Sequence, residues 1–164
     1  MTCLGWHWYP YRYVRTVEDD DGRPVRPFPG WLASLSRAAV TDARAVDPSV
    51  VTGEGDFAPD VALVNFYGHR AKMGMHVDRD ERTLDPVVSL SVGDTCIFRF
   101  GNPSGRGRPW TDVALESGDL VVFGGPSRRA YHGVPKVLEG TGDPGVCAVD
   151  GRFNVTVRAT GLGR

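Results

Sequence analysis

Cysteine is scarce in this chain, and its three cysteines lie far apart. Cys3, Cys96 and Cys147 include no CxxC pair, so the sequence offers neither a disulfide framework nor a thiolate zinc site. Few, unpaired cysteines are typical of proteins that fold in a reducing compartment. We therefore expect a cytoplasmic protein.

Long apolar runs and an excess of charge are also missing. Apolar runs such as Leu120 to Phe123 are far shorter than the ~18 residues of a membrane span. The N-terminus lacks the basic and apolar regions of a secretory signal. Nineteen basic and twenty acidic side chains give a net charge of -1. We expect no membrane association, and any nucleic-acid partner would have to be held by local charges.

Glycine and proline, in contrast, are abundant, and the segments between them alternate in polarity. The chain contains 21 Gly and 12 Pro, and after residue 60 nearly every segment alternates with a period of two, which is typical of strands. Val88, Leu90 and Val92, for example, alternate with serines. Eight strands are predicted, near residues 61–67, 71–78, 86–93, 95–100, 110–116, 119–123, 131–137 and 151–159.

A single helix is predicted ahead of these strands. After Pro29 and Gly30, the residues Trp31, Leu35, Ala38 and Ala39 recur at helical spacing, and the pattern ends before Asp47-Pro48. One helix followed by short, mostly antiparallel strands predicts a mainly β protein, a sandwich or jelly roll with the helix on one face. The length of 164 residues predicts one domain, residues 1–164, which we expect to be monomeric.

Three residues have the spacing of a metal site. His76 and Asp78 stand at i and i+2, which on a strand places imidazole and carboxylate on the same face. His132 lies on a later predicted strand and would complete a set of two histidines and one carboxylate. Such a set leaves coordination positions open, as in non-haem Fe(II) oxygenases, although the same atoms could hold Zn(II). A histidine and a carboxylate so spaced could also be an ordinary hydrogen-bonded pair.

The last predicted strand carries polar groups on one face. Arg152, Asn154 and Arg158 share this face. They could simply meet water, but two arginines turned into a barrel would be costly unless an anion met them there. A dicarboxylate cosubstrate is such an anion, since guanidinium grips carboxylates with two donors. Asn65 and Tyr67, on an earlier strand, offer an amide and a phenol that could either contact this cosubstrate or bond within the core.

Four runs of sequence together resemble a known family. They are NFYGHRAKMGMHVDRDE, PVVSLSVGDTCIFRFG, ESGDLVVFGGPSRRAYHGV and GRFNVTVRATG. Their HxD, distal His and RxNxTxR motifs resemble those of the AlkB family of Fe(II)- and 2-oxoglutarate-dependent dioxygenases. The resemblance extends almost continuously over residues 60 to 161.

This resemblance implies a fold and a site. The fold would be a double-stranded β-helix, or jelly roll, with its core at residues 60–161. Fe(II) would be held by His76, Asp78 and His132, and the cosubstrate 2-oxoglutarate would chelate that iron. The residues implied in binding 2-oxoglutarate are Asn65, Tyr67, Arg152, Asn154 and Arg158.

It also implies a reaction and a substrate. In the family, 2-oxoglutarate is decarboxylated to succinate and an N-methyl group of a base in DNA or RNA, as in 1-methyladenine or 3-methylcytosine, leaves as formaldehyde. Residues 1–29 resemble part of the family's nucleotide-recognition lid, which in familiar bacterial members follows a further segment. Trp6 would stack on the extruded base against His76, Tyr11 would touch the backbone, and Asp80 would read the exocyclic amino group.

Some alternatives remain open on the sequence. The same iron chemistry could act on a protein side chain or a small metabolite, or the chain could be a non-catalytic jelly-roll module with a structural metal. If nucleic acid is the substrate, single strands should be preferred because extruding a base from a duplex costs free energy. Arg12, Arg70, Arg106 and Arg128 are then predicted to meet phosphates.

Overall fold

The protein folds into two facing antiparallel β-sheets with one helix on an outer face. The computed structural model describes residues 1–53 and 55–163. The eleven strands in chain order are β1 (Thr2–Leu4), β2 (His7–Tyr9), β3 (Arg12–Val14), β4 (Val61–Tyr67), β5 (Met73–His76), β6 (Val87–Gly93), β7 (Cys96–Phe100), β8 (Thr111–Leu115), β9 (Leu120–Phe123), β10 (His132–Val137) and β11 (Arg152–Arg158). Helix α1 spans Gly30–Val46, and short 3-10 turns follow at Pro48–Val50 and Gly125–Ser127.

The strands form a jelly roll with a small N-terminal addition. The major sheet has the order β1-β4-β11-β6-β9 and the minor sheet β5-β10-β7-β8, while β2 and β3 form a separate N-terminal hairpin, residues 7–14. Neighbouring strands in all three sheets are antiparallel. The prediction of a mainly β jelly roll with a helix on one face is confirmed, and all eight predicted strands are present.

The alternation of the major sheet decides where the core and the polar face lie. Ala62, Val88 and Val157 point outward and pack with Leu32 and Val40 of α1 in one apolar cluster. The alternate residues of β4 and β11 point between the sheets, because cross-strand partners such as Tyr67 and Arg152 share a face. The helix therefore covers the apolar face and leaves the polar face to line the interior of the jelly roll.

Two details differ from the sequence prediction. Trp31 was assigned to the apolar stripe of α1, but its side chain is 66% exposed, whereas Leu32 beside it is 2% exposed. A shift of one residue turns the helix by about 100°, so the buried face runs through Leu32, Ser36 and Val40 instead. The predicted strand at 71–78 is also shorter, since β5 ends at His76 and Asp78 lies just beyond it.

Among the described residues no helix is long and apolar enough to cross a membrane. The three cysteines are free, with Cys3 and Cys96 buried.

Candidate metal centre and active site

Three side chains predicted to bind metal converge at one end of the minor sheet. His76 closes β5, and His132 opens β10 as its direct cross-strand partner. Asp78 follows two residues after His76, so that one donor atom from each of the three lies within 4.8 Å of the others. The Nε2 atoms of His76 and His132 are each 3.7 Å from a different oxygen of Asp78. This is a compact set of two imidazoles and one carboxylate.

Backbone carbonyls fix the orientation of both histidines. Nδ1 of His76 donates to the carbonyl oxygen of Gly74 at 2.9 Å, and Nδ1 of His132 donates to that of Ala130 at 3.0 Å. A carbonyl can only accept, so the proton of each neutral ring is on Nδ1 and the lone pair is on Nε2. Metal-binding histidines are held in the same way. Burial, the largest influence, lowers the pKa of His132 and further favours its neutral form.

The carboxylate of Asp78 is buried and ionised. Its side chain is 5% exposed and its Oδ2 has no hydrogen-bond partner. Burial by itself would raise the pKa of Asp78, but its cationic surroundings, above all Arg158, outweigh burial and lower it. An orphaned buried carboxylate oxygen facing two imidazole lone pairs fits a divalent cation. The residues present therefore suit the iron of a two-histidine, one-carboxylate centre.

Arg158 holds Asp78 in place through a buried ionic network. Its Nη2 lies 2.6 Å from Oδ1 of Asp78, and its Nη1 lies 3.0 Å from Oε1 of Glu81. Glu81 also pairs with Arg128 at 2.9 Å and accepts a hydrogen bond from the hydroxyl of Tyr13, on the N-terminal hairpin. The network thus connects Asp78, a candidate metal ligand, to β3 through three buried side chains.

Arg152 is a buried cation without a partner for two of its donors. Its side chain is 1% exposed, and its Nε and Nη1 atoms make no hydrogen bond with any described residue. Burial lowers the pKa of Arg152, which reflects the cost of placing this charge in the core. Tyr67, 6% exposed, is its direct cross-strand partner. Two orphaned guanidinium donors beside a phenol fit the distal carboxylate of 2-oxoglutarate.

The two asparagines of this face differ in their surroundings. Asn154 is already bonded, since it donates to Oγ of Ser89 at 2.6 Å and accepts from Oγ1 of Thr156 at 2.6 Å. Asn65 lies directly across from Asn154 and is half-buried. Both lie on the interior face of the major sheet, as predicted, and Asn154 is bonded to its neighbours in the sheet.

The N-terminal residues predicted to contact substrate are spread around the hairpin. Trp6 donates its Nε1 proton to Asp60 at 3.0 Å, and the guanidinium of Arg15 lies 3.5 Å from its ring centroid. Tyr11 occupies the hairpin turn with φ 69° and is 87% exposed. Asp80 accepts a hydrogen bond from Nε1 of Trp8 at 2.8 Å. Asp80 is therefore hydrogen-bonded to the hairpin, and one side of the Trp6 ring is in contact with Arg15.

Sequence reasoning missed the residues that link the hairpin to the site, namely Trp8, Tyr13, Glu81 and Arg128. It assigned Arg128 to a phosphate path, and this was wrong, because Arg128 is 3% exposed and is bound to Glu81 and to the carbonyl oxygens of Asp78 and Asp85. The run Asp78-Arg79-Asp80-Glu81 contains three acidic residues, whereas the predicted metal site needs one carboxylate. That surplus was the available signal that one acid serves a structural ion pair.

Comparisons with known proteins agree with this geometry. Residues 1–158 match the 2OG-Fe(II) oxygenase superfamily. The chain belongs to this family. The prediction of a Fe(II)- and 2-oxoglutarate-dependent dioxygenase is thereby confirmed at the level of the family, and so are its iron and 2-oxoglutarate.

Two relatives and one solved structure show which members of this family the chain resembles. The chain is 35% identical to the alpha-ketoglutarate-dependent dioxygenase AlkB of Escherichia coli, over 96% of this chain and 68% of that protein. It is 34% identical to the DNA N(6)-methyladenine demethylase ALKBH1C of Arabidopsis thaliana, over 96% of this chain but 38% of that protein. The solved structure of OsALKBH1 superposes with a TM-score of 0.84 at 32% identity, covering 96% of this chain and 76% of that one. The chain is thus shorter than these relatives, and spans well under half the length of the Arabidopsis protein.

Proposed function

We propose that this protein is an oxidative demethylase that removes N-methyl groups from bases in single-stranded DNA or RNA. Iron with 2-oxoglutarate and O2 would supply the oxidising power when bound, one oxygen atom going to succinate and the other to the methyl group, and succinate, CO2 and formaldehyde are the products. The observation that carries the proposal is the connection of the metal site to an aromatic N-terminal hairpin, through Trp8 to Asp80 and through Tyr13 to Glu81. We further propose that residues 1–29 form part of a lid over the base and that the protein acts as a monomer.

Each part of the site has a defined task in this reaction. His76, Asp78 and His132 would hold the iron, with the Nε2 atoms directed by the carbonyl bonds behind each ring. Arg152 and Tyr67 would hold the distal carboxylate of 2-oxoglutarate, and Arg158 keeps Asp78 aligned. Asn65 is proposed to donate to the same cosubstrate, while Asn154 orients this strand face.

The surroundings of the two histidines indicate the side from which substrate enters. The side chain of His132 is 9% exposed and packs against Phe98, Phe100 and Phe123, which keep water from that side. The side chain of His76 is 40% exposed. A base would therefore approach over His76, below the hairpin, where Asp80 could accept from its exocyclic amino group, Trp6 could stack on its ring and Tyr11 could contact the backbone.

The decisive experiment follows both products of the reaction. The protein is loaded anaerobically with Fe(II), then given air, 2-oxoglutarate and oligonucleotides that carry 1-methyladenine or 3-methylcytosine. We expect succinate and formaldehyde in equal amounts, more from single strands than from duplexes, and little formaldehyde from unmethylated strands. Protein loaded with Zn(II) should be inactive because zinc has no redox step to offer.

Two variants control this experiment. His76→Ala should lose at least about a hundredfold in both products, because an incomplete ligand set no longer holds iron in an ordered site, while its circular dichroism stays like that of wild type. His69→Ala, at a half-buried histidine outside the metal set that lies against Asp94 and Glu139, should retain turnover. Succinate without formaldehyde from any oligonucleotide would contradict the proposal and favour a protein or metabolite substrate, and no succinate at all would favour a binding module.

A further inference from the structure

A second aromatic and cationic cluster lies on the loop between β7 and β8, away from the N-terminal hairpin. The loop has the sequence GNPSGRGRPW, residues 101–110. The guanidinium carbons of Arg99 and Arg108 lie 4.5 Å and 4.9 Å from the ring centroid of Trp110. The indole is half-buried, whereas Arg106 and Arg108 are exposed. Trp110 is therefore a ring held at the surface among positive charges.

Most of the positive charge of this cluster is uncompensated. Arg99 binds Asp112 with two hydrogen bonds of 2.7 Å each. Among the described residues, Arg106 and Arg108 form no ion pair. The Arg99 and Asp112 pair fixes one side of the cluster, and the other two guanidinium groups remain free to meet an anion. This local charge exists although the whole chain has a net charge of -1.

Strand pairing places the cluster at the same end of the minor sheet as the metal ligands. His76 pairs with His132, His132 with Phe100, and Phe100 with Thr111, the residue after Trp110. Three strand spacings of about 4.8 Å put Thr111 roughly 14 Å from His76. The loop begins beside the start of β10, because the amide of Gly101 donates to the carbonyl oxygen of Tyr131, the residue before that strand, at 2.8 Å. Arg99 alternates with Phe98 and Phe100, and those two rings pack on His132 in the interior. The cluster therefore lies on the outward face of the minor sheet, at the same end as the metal ligands but too far from them to contact the reacting base.

Single-stranded nucleic acid is the ligand whose chemistry matches this cluster. Proteins hold single strands with aromatic rings on which bases stack and with cations that meet the phosphates. We propose that Trp110, Arg106 and Arg108 hold a nucleotide that lies beyond the immediate neighbour of the methylated base, with Trp110 stacking on its base and the arginines binding its phosphates. This inference rests on the proposed function and adds a second anchor to it, separate from the N-terminal hairpin.

The test compares a long and a short substrate. The long one is a single strand with several nucleotides on each side of 1-methyladenine, and the short one is a trinucleotide with the same base in its centre. Trp110→Ala should raise the KM for formaldehyde release from the long strand by roughly tenfold, the size of one stacking contact, and leave the KM for the trinucleotide and the kcat unchanged. Trp110→Phe should keep most of the affinity, which separates stacking from a folding defect.

Binding without turnover gives an independent measurement. Fluorescence anisotropy of a labelled, unmethylated strand should show the same loss of affinity for Trp110→Ala. Arg108→Gln should reduce the slope of log affinity against log salt concentration by about the amount of one phosphate contact. Trp31→Ala, an exposed tryptophan on α1, is the matched control and should bind like wild type. Unchanged KM and binding in Trp110→Ala would overturn the inference. The inference would also be overturned if the wild-type protein demethylated oligonucleotides but bound an acidic peptide more tightly than the strand. A wild-type protein that demethylates no oligonucleotide would instead count against the proposed function itself.

Discussion

The two arginines of β11 look equivalent in the sequence but have different electrostatic surroundings. Arg158 already faces the carboxylates of Asp78 and Glu81, and among its donors Nε is buried without a partner. Arg152 has two buried donors with no partner and no carboxylate beside it in an ion pair among the described residues. A buried guanidinium without an anion is costly, so Arg152 gains more from a bound dicarboxylate. We expect Arg152 to supply most of the affinity for 2-oxoglutarate and Arg158 to contribute chiefly by positioning Asp78.

This difference predicts the outcome of a conservative substitution. Arg152→Lys keeps the charge but loses the planar pair of donors, so its Kd for 2-oxoglutarate should rise by about tenfold or more, the loss of at least one charge-assisted hydrogen bond. Its affinity for Mn(II), used as a stable substitute for iron, should not change. Calorimetric titration of each ligand measures both values. Arg37→Lys on the exposed side of α1 is the control, and an unchanged Kd in Arg152→Lys would show that the dicarboxylate does not depend on this guanidinium.

At the residue scale the clustering of the three candidate metal ligands was predictable and their supports were not. His76, Asp78 and His132 follow from same-face spacing and from residue types that bind metals. The partners of Asp78 come from distant positions, because Tyr13 lies 65 residues before it and Arg158 lies 80 residues after it. Nothing in local spacing shows that such residues will meet, so the ionic network could only be found in three dimensions.

Among the elements, the eight strands after residue 60 could be predicted because their residues alternate regularly in polarity. The short strands before residue 60 were missed. β1, β2 and β3 each contain three residues, too few to show a period. They form because their neighbours supply partners, as in the pairing of Cys3 with Leu63 of the major sheet. Short strands of this kind are determined by tertiary contacts more than by their own sequence pattern.

Helix α1 offers a stability prediction with an internal control. Leu32 is 2% exposed and packs in the cluster between α1 and the major sheet. Leu32→Ala should lower the free energy of unfolding by about 2 to 5 kcal/mol, since it removes buried methyl groups and leaves a cavity. Trp31→Ala should change it by at most about 0.5 kcal/mol, because the indole is 66% exposed. Urea denaturation of both variants measures the difference, and similar losses in the two would mean that the buried face of α1 is misassigned.

For the whole molecule, the buried ionic network predicts how stability depends on pH. Burial alone would raise the pKa of Glu81, but Arg158, the hydrogen bond from Tyr13 and Arg128 outweigh it and lower the pKa. The pKa of Asp78 is lowered as well. The unfolded chain therefore binds more protons in acid than the folded one. The stability from both groups is fully present above their ordinary pKa values of about 3.9 and 4.3 and is lost as the pH falls through the lower folded values.

A single variant checks this prediction. Glu81→Gln removes the buried carboxylate that pairs with Arg128 and Arg158. It should lower the free energy of unfolding by about 3 to 5 kcal/mol at neutral pH. It should also flatten the acid limb of the plot of unfolding free energy against pH, because one titrating group is gone. Glu18→Gln, which breaks an exposed pair with Arg12, is the control and should cost at most about 1 kcal/mol. An acid limb as steep in Glu81→Gln as in wild type would assign the acid sensitivity to other carboxylates.

The hydrogen bond from Tyr13 to Glu81 has a thermodynamic consequence. Glu81 and Asp78 share the guanidinium of Arg158, so the hairpin and the metal both act on one buried cation. Coupling between two sites is reciprocal. If loading the centre with metal orders the hairpin, then a nucleic acid that orders the hairpin must tighten the metal by the same factor. The Kd for iron should therefore be lower while a strand is bound, and at equilibrium a chelator should withdraw most iron from the free protein.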